Sequence, residues 1–273
     1  MSYIEDLFGL KEKAIVVTGA GGAIAGVLAE AYLRAGARVA LWVHRPEEVE
    51  AALDRFEPFA ASTGAVHALA CDTGDKAEVE AAYDATAAAL GAPEVLVNAV
   101  GGNKGKSPFV DADLAKFEDI LRLNLMAGLV VPTQVFASRW IAAGARGRSI
   151  VNMASMSSYV PLSGVWAYDA AKAAVLNLTV GLASEFAAAG IRVNAIAPGF
   201  FLGKQNYALL VADKESGELT ERGASVVSRT PFGRFGKLEE LAGAALFLAS
   251  EEAAGFVTGI TLPVDGGFLA DNI

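Results

Sequence analysis

Short apolar runs alternate along the chain with longer stretches in which apolar residues recur at helical spacing. The short runs are almost continuously apolar, which is typical of strands covered on both faces. Seven runs fit this description: residues 14–17, 38–43, 65–70, 95–98, 149–153, 192–197 and 259–264. Because strands that alternate with helices pair in parallel, the pattern predicts an α/β fold with a doubly wound parallel sheet of about seven strands flanked by helices.

No repeat, low-complexity tract or linker divides the sequence, so we predict that residues 1–273 form a single domain. A long stretch of about residues 199–231 separates the last two predicted strands and contains the charged run 213–218. Stretches of this length between elements are usually functional loops or disordered segments. We therefore predict a substrate-loop insertion at about 199–231.

Composition narrows the classes of partner. The 273 residues are 53% hydrophobic and carry a formal net charge of -9, which disfavours nucleic acid and anionic membranes and favours a small molecule. No apolar run reaches the ~20 residues that span a bilayer. Cys71 is the only cysteine and the histidines are His44 and His67, so the sequence predicts no intrachain disulfide, no metal site and a cytoplasmic location.

A glycine-rich segment, Thr18-Gly19-Ala20-Gly21-Gly22, follows the first predicted strand and precedes a helical pattern. Glycines in such a turn let the backbone approach a phosphate closely, with its N–H groups aimed at the anion from a helix N-terminus. The segment predicts a Rossmann-type dinucleotide site. An ordinary strand-to-helix turn is the alternative.

The end of the second predicted strand usually reads the adenosine ribose of such a cofactor. Here the sequence is Trp42-Val43-His44-Arg45-Pro46, without the acidic residue that favours NAD. Arg45, with His44, could pair with a 2′-phosphate, which favours NADP over NAD. The alternative is that Arg45 is a solvated loop residue.

Tyr168 and Lys172 lie one turn apart in a predicted helix over residues 166–188, so their side chains share one face. A tyrosine has a pKa near ~10, and a nearby ammonium would lower it enough for proton transfer close to neutral pH. Ser155 follows the fifth predicted strand, at the strand end where such sheets bind ligands. Taken alone, the Tyr168 and Lys172 spacing also fits an ordinary surface pair.

Taken together, these motifs resemble the short-chain dehydrogenase/reductase family over nearly the whole chain. The resemblance rests on the order of matching segments: residues 18–26, Asp72, Asn98, Asn124, Ser155, Tyr168, Lys172, 198–199 and 264–267. It implies an NAD(P)-dependent oxidoreductase that acts on CH–OH groups. It also implies a catalytic tetrad of Asn124, Ser155, Tyr168 and Lys172.

By the same resemblance a larger set of residues would bind the cofactor: Gly19, Gly21, Gly22, Ile24, Ala25, His44, Arg45, Asp72, Asn98, Ala99, Gly101, Tyr168, Lys172, Pro198 and Gly199. The sequence departs from the family pattern at four positions. Ala23 and Ala25 replace glycines, Ala99 often is asparagine in the family, and Gly203 stands where a threonine commonly binds the nicotinamide carboxamide.

Within the family, the segments 101–103, 155–157, 197–202 and 229–236 resemble the D-mannonate oxidoreductase, or fructuronate reductase, branch. This implies interconversion of a keto sugar acid and its hydroxy acid. The candidate substrate residues are Asn103, Met156, Gln205 and Asn206. Four cations near these segments could pair with a carboxylate, and we assign none of them: Lys104, Lys106, Lys204 and Arg234.

Two other functions stay open on the sequence: a 3-oxoacyl thioester reductase of the same family, and a cofactor-binding homologue without catalysis. The acidic charge disfavours docking of an acidic carrier protein, and retention of Tyr168 and Lys172 disfavours loss of catalysis. The family resemblance implies a homotetramer or homodimer, for which the apolar segment 256–269 is a candidate interface.

Overall fold

A computed structural model describes residues 2–60, 65–203, 207–213 and 215–271. Its centre is one sheet of seven parallel strands in the order β3-β2-β1-β4-β5-β6-β7. The strands are β1 (Ala14–Thr18), β2 (Arg38–Val43), β3 (Val66–Ala70), β4 (Val95–Asn98), β5 (Arg148–Met153), β6 (Ile191–Pro198) and β7 (Thr261–Val264). The predicted single-domain, doubly wound α/β fold is confirmed, and the strand bounds differ from the predicted ones by at most two residues.

Helices cover both faces of this sheet. They are α1 (Tyr3–Phe8), α2 (Ala23–Arg34), α3 (Val49–Ala60), α4 (Lys76–Leu90), α5 (Leu114–Leu121), α6 (Val131–Ala142), α7 (Trp166–Phe186), α8 (Tyr207–Leu210), α9 (Glu221–Ser228), α10 (Ala242–Ala249) and α11 (Glu251–Ala254). Helix α7 is shorter than predicted because it tightens into a 3₁₀ turn at Ala187–Ala189, after which Gly190 adopts a φ of 70°. A π-helical segment, Arg122–Val130, joins α5 to α6.

The apolar strands are buried because each of their two faces packs against helices. In β1, Ile15 and Val17 belong to the cluster that includes Leu28 of α2. The alternate residues Ala14 and Val16 belong to the opposite cluster, with side chains from α4, α6 and α7. Side chains of successive strand residues point to opposite faces, so a strand buried on both faces must be apolar throughout.

The continuous helix Leu114–Ala142 is 29 residues long, and its most apolar 18-residue window has a mean hydropathy of 1.5, so by length and composition alone it could cross a membrane. More than half of its most apolar window is buried within the protein. Phe136 and Trp140 stack edge to face within the core, with ring centroids 5.5 Å apart. Packing against the sheet therefore accounts for its apolar character.

The predicted insertion at 199–231 contains the helices α8 and α9 and a small apolar cluster formed by Leu210, Val211 and Val226. Phe200, which follows β6, packs against this cluster. The segment is thus anchored beside the carboxyl end of the sheet. In an open α/β sheet, ligands bind at that end, at the point where the strand order reverses, which here lies between β1 and β4.

Candidate active site

The glycine-rich turn lies between β1 and α2, at the reversal of strand order. Gly19 adopts a φ of +66°, and a Cβ there would lie 3.1 Å from Val100 Cγ2, so both conformation and space favour glycine. The Thr18 hydroxyl donates to the Val97 carbonyl and accepts from the Ala99 amide, which ties β1 to the end of β4. This turn holds a helix N-terminus open at the sheet edge, as phosphate binding requires.

The two alanines that replace family glycines occupy different surroundings. Ala25 is buried in the same core cluster as Leu28 and Ala29, so its methyl group is accommodated by the protein interior. Ala23 is half-buried on the wall of the adjoining cleft. Both alanines line the cleft, but only the methyl group of Ala23 is partly exposed there.

A cleft of about 690 Å³ opens above the glycine turn. Its volume lies within the range of cofactor sites, roughly 300–1,000 Å³. Ten of the predicted cofactor residues line it: Gly19, Gly21, Gly22, Ile24, Ala25, His44, Asp72, Ala99, Gly101 and Gly199. A backbone cradle beside a cleft of this size fits a dinucleotide. Gly203, which replaces the family threonine, also lines it.

Arg45 does not line this cleft. Its guanidinium donates to Glu48 Oε1 at 2.6 and 3.0 Å, and Glu47 lies 3.6 Å away. Glu48 itself is on the cleft wall. The side chain predicted to read a 2′-phosphate is thus held by a carboxylate, although with 60% of it exposed it stays free to reorient.

Asn98, Pro198, Tyr168 and Lys172 are also placed off the cleft wall. Asn98 is buried, and its amide donates to Thr133 and to Asn152, each at 2.9 Å. Asn152 in turn donates to Thr179, so these polar side chains link β4 and β5 to the helices below. The side chain of Asn98 therefore braces the sheet rather than contacting the cleft, which corrects the sequence expectation. Pro198 is the last residue of β6.

Ser155 begins a tight turn after β5 that is bound to helix α7. Its hydroxyl accepts from the Ser157 amide at 3.1 Å, while its own amide donates to the Ser158 hydroxyl. That hydroxyl donates to the Lys172 carbonyl at 2.6 Å. Ser158 thus bridges the turn and the helix, which fixes Ser155 relative to Tyr168.

Tyr168 and Lys172 face each other from successive turns of α7. The Lys172 Nζ atom lies 5.6 Å from the centre of the Tyr168 ring and donates to the Met153 carbonyl at 2.7 Å. Burial raises the pKa of Tyr168, and a hydrogen bond with Ser155 partly offsets this by lowering it. Burial lowers the pKa of Lys172 to about 8. In this arrangement the hydrogen bond with Ser155 is a second influence that lowers the tyrosine pKa, beside the one that the sequence assigned to Lys172.

Asn124 lies in the π-helical segment and is fully buried. Its Nδ2 donates to the carbonyls of Gly102, at 2.7 Å, and Ile120, at 2.9 Å, and its Oδ1 accepts from the Gly102 amide at 3.0 Å. A Cβ on Gly101 would lie 2.7 Å from that Oδ1 and 3.4 Å from Lys172 Nζ. Asn124 therefore fixes the loop after β4 beside the lysine. π-Helical segments are frequent at functional sites.

The predicted substrate residues separate in space. Asn103 lines a smaller pocket of about 210 Å³ and donates to the Gly105 carbonyl. Met156 is only 2% exposed in the turn after Ser155, which corrects its assignment to the pocket surface. Gln205 and Asn206 lie outside the described residues.

The residues that hold the predicted site residues in place were not predicted from the sequence. Four such residues, Thr18, Ser157, Ser158 and Asp169, contribute hydrogen bonds that no spacing rule singles out. The serine-rich segment 155–158 was the one available signal. Among the described residues, no group of three histidine, cysteine or acidic side chains could hold a metal ion.

Comparisons with known proteins identify the family to which this chain belongs. The family model described as Enoyl-(Acyl carrier protein) reductase matches residues 19–269. A Bacillus subtilis (strain 168) protein described as uncharacterized oxidoreductase UxuB is 38% identical over 276 residues, covering 96% of each chain.

Two solved structures resemble this chain throughout. One is a Haemophilus influenza protein, provisionally named a D-mannonate oxidoreductase, with bound NAD; the TM-score is 0.89 at 36% identity, covering 98% of this chain and 99% of that one. The other is a gluconate 5-dehydrogenase from Burkholderia cenocepacia J2315 in complex with NADP and tartrate, with a TM-score of 0.86 at 33% identity and coverage of 98% and 99%. This chain belongs to the short-chain dehydrogenase/reductase family and is an NAD(P)-dependent oxidoreductase acting on CH–OH groups.

Proposed function

We propose that this protein interconverts a keto sugar acid and its hydroxy acid, of the fructuronate and D-mannonate type. The observation that carries the chemistry is the meeting of Ser155, Tyr168 and Lys172, with the Lys172 Nζ atom 3.4 Å from where a Cβ on the cleft-lining Gly101 would lie. The substrate class is supported by the relatives named for D-mannonate and gluconate.

A nicotinamide bound in the cleft would supply or accept the hydride. The Ser155 hydroxyl holds the substrate oxygen, and the Tyr168 hydroxyl gives up its proton to that oxygen during reduction. Lys172 returns a proton toward the phenolate, which its pKa of about 8 allows near neutral pH. Asn124 binds both the amide and the carbonyl of Gly102 and so holds the loop after β4 beside Lys172.

Lys104 is our candidate for the substrate carboxylate. It lines both the cofactor cleft and the 210 Å³ pocket beside it. The competing Arg234 is bound to both oxygens of Glu240, at 2.7 and 2.8 Å. Lys106 lies with its aliphatic stem against Gly164, and Lys204 lies outside the described residues. An ammonium that lines both cavities can pair with a carboxylate without displacing another acid.

The preference of the protein for NAD or NADP depends on the residues near the adenosine ribose. The sequence favours NADP through Arg45, whereas in the structure Glu48 occupies that guanidinium and places a carboxylate on the cleft wall. We propose that the protein uses both cofactors and discriminates weakly, because an exposed ion pair is readily broken.

The direct test is a substrate panel with purified protein. Oxidation of NADPH and NADH would be followed with fructuronate, 5-ketogluconate, neutral fructose and an acetoacetyl thioester. We expect the two acids to be reduced fastest, and Lys104→Met to raise KM for the acids by about tenfold, the effect of one lost charge-assisted hydrogen bond. Fructose should be insensitive to that substitution. Equal turnover of fructose and the acids would refute the carboxylate assignment.

A thioester reductase is the competing activity, because the matching family model is described by acyl-carrier chemistry. Faster reduction of the acetoacetyl thioester than of either acid would establish it in place of our proposal. No turnover of any panel member, with cofactor binding intact, would support the non-catalytic homologue.

We also propose that the protein is a cytoplasmic homodimer or homotetramer. The segment 256–269 carries the fully exposed Phe256 and the partly exposed Ile260 next to the edge strand β7. Apolar groups at a sheet edge are typical of contacts between copies. Light scattering would give the mass, and Phe256→Ser should lower it if this face is the interface.

A further inference from the structure

Asp169 is a buried acid that the proton transfer does not use. It follows Tyr168 in the first turn of α7 and is 8% exposed. Its Oδ2 accepts from the Leu162 amide at 3.1 Å, and its Oδ1 has no hydrogen-bond partner. No cation among the described residues forms an ion pair with it. A buried carboxylate with so few partners is costly, so its position calls for a function.

The contacts of Asp169 lead to the substrate side of the site. Leu162 lies in the loop of residues 159–165, which connects the Ser155 turn to α7. The bond from its amide to Asp169 closes this loop onto the helix that bears Tyr168 and Lys172. Gly164 and Val165 of this loop line the 210 Å³ pocket that Asn103 and Lys104 also line, so the position of the loop shapes one wall of the proposed substrate site.

Ser157 connects the same acid to Ser155. Its amide donates to the Ser155 hydroxyl oxygen, while its own hydroxyl is buried without a partner in ordinary hydrogen-bond geometry. That hydroxyl is close enough to lower the pKa of Asp169, against the larger effect of burial, which raises it. On one side of the Ser155 turn, Ser158 therefore binds the Lys172 carbonyl, and on the other side Ser157 lies next to Asp169.

We infer that Asp169 is a positioning residue that fixes the 159–165 loop against α7 and, through Ser157, holds the Ser155 hydroxyl where the substrate oxygen binds. This rests on the proposed function only for the identity of the substrate. The contacts themselves exist without one. Asp169 does not reach the reacting atoms and acts through Ser155.

The kinetic test compares four variants with the wild type in fructuronate reduction: Asp169→Ala, Asp169→Asn, Ser157→Ala and the double Ser157→Ala/Asp169→Ala. We expect Asp169→Ala to lower kcat by on the order of 10- to 100-fold with little change in KM, because small misplacements of a catalytic group have effects of that size. Asp169→Asn should retain most of kcat, since its amide oxygen still accepts from Leu162. The double variant should be no slower than Asp169→Ala, because both changes break one path.

Glu185→Ala provides the matched control, because Glu185 is an exposed acid on the same helix far along from the site. It should leave kcat unchanged. Cofactor affinity, measured by fluorescence, and the unfolding midpoint should be measured for every variant. Three results would overturn the inference. Asp169→Ala could keep full kcat, the losses in the double variant could be additive, or the loss of activity could simply follow the fraction of unfolded protein.

A crystal structure of Asp169→Ala decides the matter without a substrate. We expect the 159–165 loop to shift and the contact between Ser155 and Ser157 to be lost. An unmoved loop and an intact contact would overturn the role of Asp169, whatever the activity. If the wild type reduces none of the sugar acids, the proposed function is wrong. The crystal structures of Asp169→Ala and the wild type would still test the positioning role of Asp169.

Discussion

Gly101 and Gly102 are neighbours in the loop after β4, yet the structure predicts opposite results when each becomes alanine. A Cβ at position 101 would lie 2.7 Å from Asn124 Oδ1, whereas a Cβ at position 102 would meet nothing within 4 Å. Neither glycine has a positive φ, so backbone strain does not separate the two. The difference comes from the atoms beside position 101, of which Asn124 Oδ1 is the one that would be too close.

The size of the effect follows from how firmly Asn124 is held. To reach an ordinary contact of 3.4 Å, its oxygen must move by about 0.7 Å, and the side chain is buried with three hydrogen bonds. Overpacking a fitted interior costs roughly 1–3 kcal/mol, and each strained hydrogen bond adds about 1 kcal/mol. We expect Gly101→Ala to lower the free energy of unfolding by about 2–4 kcal/mol.

Activity should fall further than stability because the new Cβ would lie in contact with Lys172 Nζ, at 3.4 Å, so that a displaced Asn124 disturbs the loop directly beside the lysine. Steady-state reduction at saturating cofactor should show kcat lowered by about 10- to 100-fold in Gly101→Ala. Chemical denaturation would measure the stability change in parallel. Gly102→Ala should stay within about twofold of the wild type on both measures. Equal effects of the two substitutions would refute the assignment of Asn124 as the fixed neighbour.

Three further outcomes are expected. Tyr168→Phe should lower kcat by about 10²- to 10⁴-fold with cofactor affinity, followed by fluorescence titration, unchanged; undiminished turnover would exclude the phenol as proton donor. The rate of reduction should fall as pH rises through about 8, where Lys172 loses its proton, and a flat pH–rate profile from 7 to 9 would contradict this. The free energy of unfolding should increase with pH between about 8 and 10.5, the ordinary pKa of a lysine, because in that range the unfolded chain binds more protons than the folded one. Glu48→Gln, which frees Arg45, should raise kcat/KM for NADPH relative to NADH by about threefold to tenfold, and an unchanged ratio would show that Arg45 does not read the ribose.

Much of the scaffold was predictable because its determinants are periodic. Continuous apolar runs identified all seven strands, and the glycine turn identified the end of the sheet at which the site would lie. The spacing of Tyr168 and Lys172 places both on one face of α7, since residues four apart on a helix are neighbours. These inferences depend on local geometry, which sequence spacing carries directly.

The remaining features depend on contacts between distant segments. The sequence predicts that Asn98 binds the cofactor, yet its amide donates to Thr133 and Asn152, which lie on two other elements. Arg45 is captured by Glu48 through a turn at Pro46–Glu48 that the pattern did not reveal. Side-chain orientation is decided by such partners, and no periodicity encodes them.

The π-helical segment Arg122–Val130 sets the angular offset between two faces of one long helix. Each residue of an α-helix rotates the chain by about 100°, and a wider turn delays that rotation. Asn124 can therefore point toward the loop after β4 while Phe136 and Trp140, further along, still point into the core. Deleting one residue here would restore tighter α-helical winding and turn the two faces out of phase, so either the amide or the aromatic pair would lose its place. The length of this segment is consequently under a constraint that neither its composition nor its hydropathy expresses.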